Sequence, residues 1–411
     1  MFRSTYRLSA EFQNVAGLNG GAEVRVGGIH EGTVRQIQLP MRPNEKIRVL
    51  MDLEGKTRNV IKKDSIANIR SEGLVHQLLQ LAGHLKDGAL LMEAHRAMGG
   101  ALVELGRCTE ALQHLDAGIA LYTTHRQHPY DVFIGRDSRV VCECLAARAL
   151  WALGYPDRAA ERVEVAFALS RELAHPQTLM VAGHFAVQLH QLRGEPLLAQ
   201  ERASEVVKLA DEYGLELWVS LGKIDLGWAD AELGNAQQGI EQMQRNLATY
   251  EATGAKLRSP YFLGLLADEM GKIGRLEEGL AAIASALTLA EQNGEKYWLP
   301  ELYRIKGELI VKTVDQQPTS KFSRTSRSQV NEISQVLVQA ASCFAEAVAI
   351  AKQQQTRSWE LRAQISMYRL QSRQGNPTHL QLAESYSSFT EGHETADLKQ
   401  ARALLNVDAP A

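Results

Sequence analysis

The residues of this chain whose types could do chemistry are not gathered into any familiar set. His125 and His128 share a loop-like stretch with Asp131 and Asp137, whereas His184 and His190 share one helical run. Zinc ligands on a single helix face want an i, i+4 spacing, and six residues turn the two rings onto different faces. Cys142 and Cys144 are separated by one residue within another helical run. That is too close for a zinc knuckle, so they read as small core residues. Glycines cluster from Gly17 to Gly32, but no Gly-Lys-Ser/Thr ending follows to place a lysine and a hydroxyl on a phosphate. They read as turns between strands. The pairs Asp268-Glu269 and Glu277-Glu278 read as solvated charges at helix ends or on exposed faces. No G-x-S-x-G, H-E-x-x-H or kinase-type set occurs. These patterns predict no catalytic residue, no metal site and no cofactor.

The elements that would carry any site have two different periods. With 411 residues, 45% of them hydrophobic, the chain is long enough for two or three domains and a large core. A net charge of −3 argues against a nucleic-acid binder. No run of 18 apolar residues predicts a membrane-spanning helix, and the opening MFRSTYRLSAEF lacks the apolar stretch of a signal peptide. As written, the chain is expected in the cytoplasm. Residues 1–73 carry 12 basic and 8 acidic side chains, while the remainder carries 33 and 40. Such asymmetry suits different partners. In this first stretch apolar residues alternate: Tyr6, Leu8 and Ala10, then Val24 and Val26, Val34 and Ile37, and Ile47, Val49 and Met51. Five or six short strands are expected, as a small all-β barrel or sandwich.

From residue 75 the period becomes helical. Gly106, Gly154, Gly194, Gly234 and Gly274 each end an apolar helix, and five residues later comes Ala111, Ala159, Ala199, Gly239 or Gly279. The last four turn glycines recur every 40 residues, the signature of a solenoid of helix pairs. About seven pairs are expected over 75–312 and 335–411, with a short capping helix at the end. The Ser/Thr/Gln-rich stretch 313–334 reads as a polar, mobile insertion.

Residues 6–74 carry YRLSAEFQNVAGLNGGAEVRVGGIHEGTV and VIKKDSIANIRSEGL, and this stretch resembles the MCE/MlaD domain of bacterial lipid-transfer systems. The resemblance implies a β barrel that assembles into homo-hexameric rings and passes phospholipid through an apolar channel. It also implies an N-terminal membrane anchor and a periplasmic location; no anchor precedes Tyr6 in this sequence. After Leu74 the family continues through a pore loop into a last strand, and here VHQLLQLAGHLKD begins instead, so the barrel is expected to be incomplete. Under this resemblance Val24, Val26, Ile37 and Leu74 are the candidate lipid contacts. The basic residues of 1–73, Arg25, Arg35, Arg48 and Lys56 among them, suit either anionic head groups or a solvated barrel face.

Residues 75–408 carry LLMEAHRAMGGALVELG, GRDSRVVCECLAARALWALGYPDRA, GWADAELG and SPYFLGLLADEMGKIG. They resemble the tetratricopeptide-like C-terminal region of bacterial proteins that join a nucleotide cyclase to an AAA-type ATPase. The resemblance implies a regulatory solenoid that binds a protein or peptide partner. Trp218, Trp228, Tyr261 and Trp298 are the candidate anchors on its concave face, although the same aromatics suit packing between repeats. Solenoid insertions tend to gather on a binding face, so Tyr130, Phe133, Arg136, Asp137 and Arg139 of the long loop complete the candidate surface. The two resemblances meet without a linker at Leu74–Val75, which points to a fused reading frame. Two readings follow: a protein-interaction scaffold joined to a phospholipid-transport domain, or a cytoplasmic signalling regulator whose β segment is vestigial.

Overall fold

Period-two alternation folds as strands, and the sheet buries one face of each. The computed structural model describes residues 5–12, 21, 23–26, 29–38, 47–59, 61, 72–85, 87–122, 135–316 and 327–406. They fall into two compact units, Met1–Asp87 and Gly88–Ala411. In the first, β1 (Thr5–Phe12), β2 (Glu23–Val26), β3 (Ile29–Gln38) and β4 (Ile47–Glu54) form an antiparallel sheet in the order β1-β4-β3-β2. Four strands are therefore seen among the described residues where five or six were expected. The register sets Leu8 opposite Met51, Ala10 opposite Val49 and Val34 opposite Met51. The buried core is Val34, Val49, Met51 and Leu53, flanked by half-buried Tyr6, Leu8, Ala10, Val24 and Ile37. Gly32 lets β3 lie close to β4, since a Cβ there would sit 2.2 Å from the Asp52 carbonyl oxygen. The VHQLLQLAGHLKD stretch forms helix α1 (Glu72–Leu85), so the backbone of Leu74 and Val75 is helical and stays with the first unit.

In the second unit the helices pair in chain order. α2 (Gly88–Glu104) pairs with α3 (Cys108–Ala120), α4 (Ser138–Ala152) with α5 (Pro156–Leu173), and α6 (Pro176–Arg193) with α7 (Pro196–Glu212). Next come α8 (Glu216–Asp230) with α9 (Ala236–Ala252) and α10 (Ser259–Lys272) with α11 (Leu276–Asn293). The last pairs are α12 (Leu299–Asp315) with α13 (Arg327–Gln354) and α14 (Arg357–Arg373) with α15 (His379–Ser387), capped by α16 (Ala396–Leu405). The first helix of each pair stacks on the first helix of the next, which is the architecture of a tetratricopeptide-like solenoid.

The repeat residues do what their spacing requires. All five turn glycines take a positive φ, from 73° at Gly194 to 106° at Gly234, a region that side chains with a Cβ avoid. At Gly154 the turn closes in the Schellman manner, with the Tyr155 N–H donating to the Leu150 carbonyl at 2.9 Å. Ala111, Ala159 and Ala199 are fully buried where the paired helices cross. Prolines in the first turn begin α5, α6, α7, α10 and α12, where a missing N–H costs nothing.

Helices α12 and α13 run into the 313–334 stretch from both sides, and residues 317–326 lie outside the described residues. Ile333–Gln354 of α13 is long and apolar enough, by length and composition, to cross a membrane. Its Ala340, Phe344, Ala347 and Ala351 are nonetheless buried in the repeat stack.

Candidate functional site

The first helices of the pairs line the inner side of the stack, and there the early and late repeats meet. Helix α14 reaches back to α4. Trp359 packs edge-on against Trp151 at 4.5 Å between ring centres. The Ser358 hydroxyl donates to the Trp151 carbonyl at 2.5 Å, and the Tyr297 hydroxyl donates to the Arg148 carbonyl at 3.0 Å. The backbone N–H groups of Lys296 and Tyr297 both donate to the Glu104 carbonyl, at 2.7 and 3.1 Å. Arg362 reaches the Leu192 carbonyl at 2.6 Å and Asp397 at 2.8 Å. Near the C-terminal cap, Glu391 accepts from the backbone N–H groups of Asp157 and Arg158, and the Gly392 N–H donates to Asp157. Contacts between residues more than 140 positions apart thus close the superhelix on itself.

This closure corrects the expected anchors. Trp228, Tyr261 and Trp298 are 5%, 5% and 1% exposed, so they belong to the packed interior rather than to an open groove. Tyr261 stacks on Trp298 at 4.1 Å, and its hydroxyl donates to the Gln191 side chain. Asp137 is also buried and serves as a helix cap: its carboxylate accepts from the Val140 N–H at 2.9 Å and from the Tyr122 hydroxyl at 3.0 Å. Arg139 lies over the Tyr122 ring and pairs with Glu143. Arg136 is half-buried, with burial and then the nearby Arg96 charge lowering its pKa. Tyr130 and Phe133 lie outside the described residues.

Trp218 has a different setting. It is half-buried against Met180, Val206, Leu209 and Ala210. Beside this cluster, α5, α6 and α7 enclose a half-open cleft of about 270 Å³. Phe167, Leu179, Val206 and Leu209 supply its apolar lining; Arg171, Lys208, Glu205 and Glu212 supply its charges. Arg171 and Arg202 both lie over the Phe167 ring, at 4.5 and 4.3 Å. Val165, Leu197, Leu198 and Tyr213 on the same helices and their ends are 42–64% exposed. Nothing in the sequence singled out Phe167, Leu179 or Leu209, because their spacing is that of ordinary packing residues.

His184 and His190 do not converge: His184 bonds to Asp225 at 2.7 Å, and His190 bonds to Glu195 at 2.7 Å. The carboxylates of Glu232, Asp268 and Glu269 do converge, with oxygens within 4.8 Å of one another. The Lys272 ammonium sits among them at 2.5, 3.0 and 2.8 Å, where a cation would otherwise be needed. Glu269 is 1% exposed, which corrects its reading as a solvated charge. Burial and the neighbouring carboxylates push its pKa up to about 8, against the pull of Lys272.

In the β unit, Val24 and Ile37 flank the core, while Val26 lies in β2 and Leu74 in α1 with side chains outside the description. Several basic residues there are already paired: Arg7 and Arg35 with Asp52, Arg48 with Glu11, and Lys56 with Glu31 and Glu54. Residues 4–80 match the MlaD protein family. The strand alternation of this MlaD-type unit is the part of the match that the sheet makes visible.

Other similarities concern longer stretches. An uncharacterized protein of Rhizobium meliloti is 27% identical over 215 residues, 50% of this chain and 20% of that protein. The chain thus spans about a fifth of the length of this curated relative. Among solved structures, a Rap protein complexed with competence and sporulation factor is 13% identical, covering 77% of each chain with a TM-score of 0.49. Human IFIT1 bound to m7Gppp-AAAA is 12% identical, covering 82% of this chain and 76% of that one, with a TM-score of 0.47. A signal transduction ATPase with a tetratricopeptide repeat sensor, from Pyrococcus horikoshii, is 11% identical over 88% and 52%, with a TM-score of 0.42. The solenoid assignment rests on the helix pairs themselves.

Proposed function

We propose that this chain is a non-enzymatic adaptor, in which the helical unit docks a protein partner and the MlaD-type unit handles phospholipid. The cleft between α5 and α7 carries the first half of this reading. It joins an apolar floor to a charged rim, a combination that suits a partner segment with one apolar and one polar side. Trp218 is then the sequence-named anchor that best retains a role, at the margin of that cleft. The lipid half is supported by the family match over residues 4–80. Val24, Val26, Ile37 and Leu74 remain its candidate contacts, and a homo-oligomer through this unit is part of the proposal.

Two experiments test the halves separately. Leu209→Glu and Leu179→Glu are expected to abolish partner capture while leaving the helical circular dichroism intact; capture that survives both removes the cleft from consideration. Native mass spectrometry of the purified chain should detect co-purified phospholipid and an oligomer, both weakened by Ile37→Asp. A protein that is lipid-free in every preparation defeats that half.

The regulator reading draws support from one observation: the stretch shared with the Rhizobium meliloti protein is a fifth of that protein's length, as for a module within a longer chain. Deleting residues 1–87 separates the two readings. A regulator keeps its partner and its cytoplasmic fractionation without the β unit, whereas an adaptor loses lipid association.

A further inference from the structure

We infer that the inner face of the helical unit holds an oxyanion site, in which Arg258 and Arg148 receive a carboxylate or phosphate group beside Phe185 and Trp298. The inference stands apart from the cleft proposed above, which is lined by none of these residues.

Buried hydrogen-bond donors in a folded interior ordinarily have acceptors, and here a group of them does not. Arg148 is 3% exposed, and its Nη1 donates to Glu104 at 3.0 Å. Its Nε and Nη2 have no partner among the described residues, and neither do Arg258 Nε, Trp298 Nε1 or Gln191 Nε2. These atoms belong to one neighbourhood. Both guanidinium groups lie over the Phe185 ring, Arg258 at 4.8 Å and Arg148 at 5.9 Å. Arg148 also lies over Trp298 at 5.2 Å, Trp298 stacks on Tyr261, and Tyr261 bonds Gln191. Aromatic faces orient a guanidinium but accept no N–H bond of normal strength, so the donor edges are left to another molecule.

The two guanidinium groups are not equally paired. Glu104 answers Arg148; Arg258 forms no ion pair among the described residues, although its backbone N–H donates to Glu295 at 3.0 Å and the charges of Glu104 and Asp225 favour its cationic form. Burial, and then the Arg148 charge, lower the Arg258 pKa against the opposing pull of Glu104 and Asp225. Arg258 further holds a left-handed backbone, φ 70°, at the start of α10, where a residue with a Cβ is strained. A strained arginine whose Nε has no acceptor among the described residues keeps a donor edge for an anion. A guanidinium presents two parallel N–H groups that match the two oxygens of a carboxylate or a phosphate.

The test uses the full chain, titrated with sodium phosphate or sodium acetate against sodium chloride at matched ionic strength. Trp298 stands at the site and reports through tryptophan emission, with the melting temperature as a second readout. A saturable change with either anion, absent with chloride, is expected. Response to phosphate alone assigns a phosphate-bearing ligand; response to acetate assigns a carboxylate such as a peptide terminus. Arg258→Gly is the decisive variant, because it removes the guanidinium and gives the left-handed position the residue that suits it. That variant is expected to fold and to bind roughly tenfold more weakly or worse. No saturable response to either anion, or a response unchanged in Arg258→Gly, overturns the site.

Discussion

Lys272 serves three carboxylates with one ammonium, so the group as a whole is short of positive charge, and buried Glu269 carries the consequence. Its folded pKa of about 8 lies above the ordinary 4.5. The folded state therefore binds the extra proton more tightly, and this contribution to stability is complete below 4.5 and lost as pH rises through about 8. Glu269→Gln is expected to flatten that slope and to raise stability at pH above 8, as read by urea unfolding on both sides of the window. A variant that loses stability on the alkaline side would show that the Lys272–Glu269 attraction outweighs the burial of charge. The cysteines give a second test at this scale. Cys108, Cys142 and Cys144 are buried, which raises all three thiol pKa values, Cys108 and Cys142 to about 12. A thiol reagent should modify half-buried Cys343 first in the native protein and all four only on unfolding. Early loss of Cys142 or Cys144 would contradict the packing of α4.

At the scale of the element, the repeat spacing was legible because it encodes backbone approach. A Cβ on Gly239 would lie 2.3 Å from the Gly227 carbonyl oxygen and 2.8 Å from the Ala231 nitrogen. Backbone atoms cannot swing aside as a side chain can. Gly239→Ala is therefore expected to cost about 1–3 kcal/mol in urea unfolding. An unchanged midpoint would mean that α8 and α9 are not in backbone contact. The inner arginines were not legible from period, for a physical reason. Helix α4 is buried along nearly its whole length on every side, so it has no polar stripe against which an apolar one can be read. Arg148 stands alone in the apolar run of CLAARALWALG, and that isolation was the one available sign that it is buried and paired. The same limit applied to the aromatics. Spacing placed Trp228, Tyr261 and Trp298 on the repeat helices, but it could not tell an open groove from one filled by the chain itself.

For the helical unit as a whole, closure changes what stability means. A linear solenoid can fray from either end, since each repeat touches only its neighbours. Here Trp359, which is 1% exposed, packs on Trp151, and Arg362 holds the end of α6. Trp359→Ala should cost about 3–5 kcal/mol and should loosen α4 as well as α14, which hydrogen exchange would reveal as faster exchange in both helices. Faster exchange in α14 alone would indicate an open stack. The closing contacts also impose an order in time during synthesis. Ser358 binds the Trp151 carbonyl across 207 residues of chain. At the usual pace of translation that is about 10–40 s during which α4 has left the ribosome and its covering helix has not been made. An apolar surface waiting that long is a natural client for a holding chaperone, and depleting one should reduce the yield of this protein before it alters the finished fold.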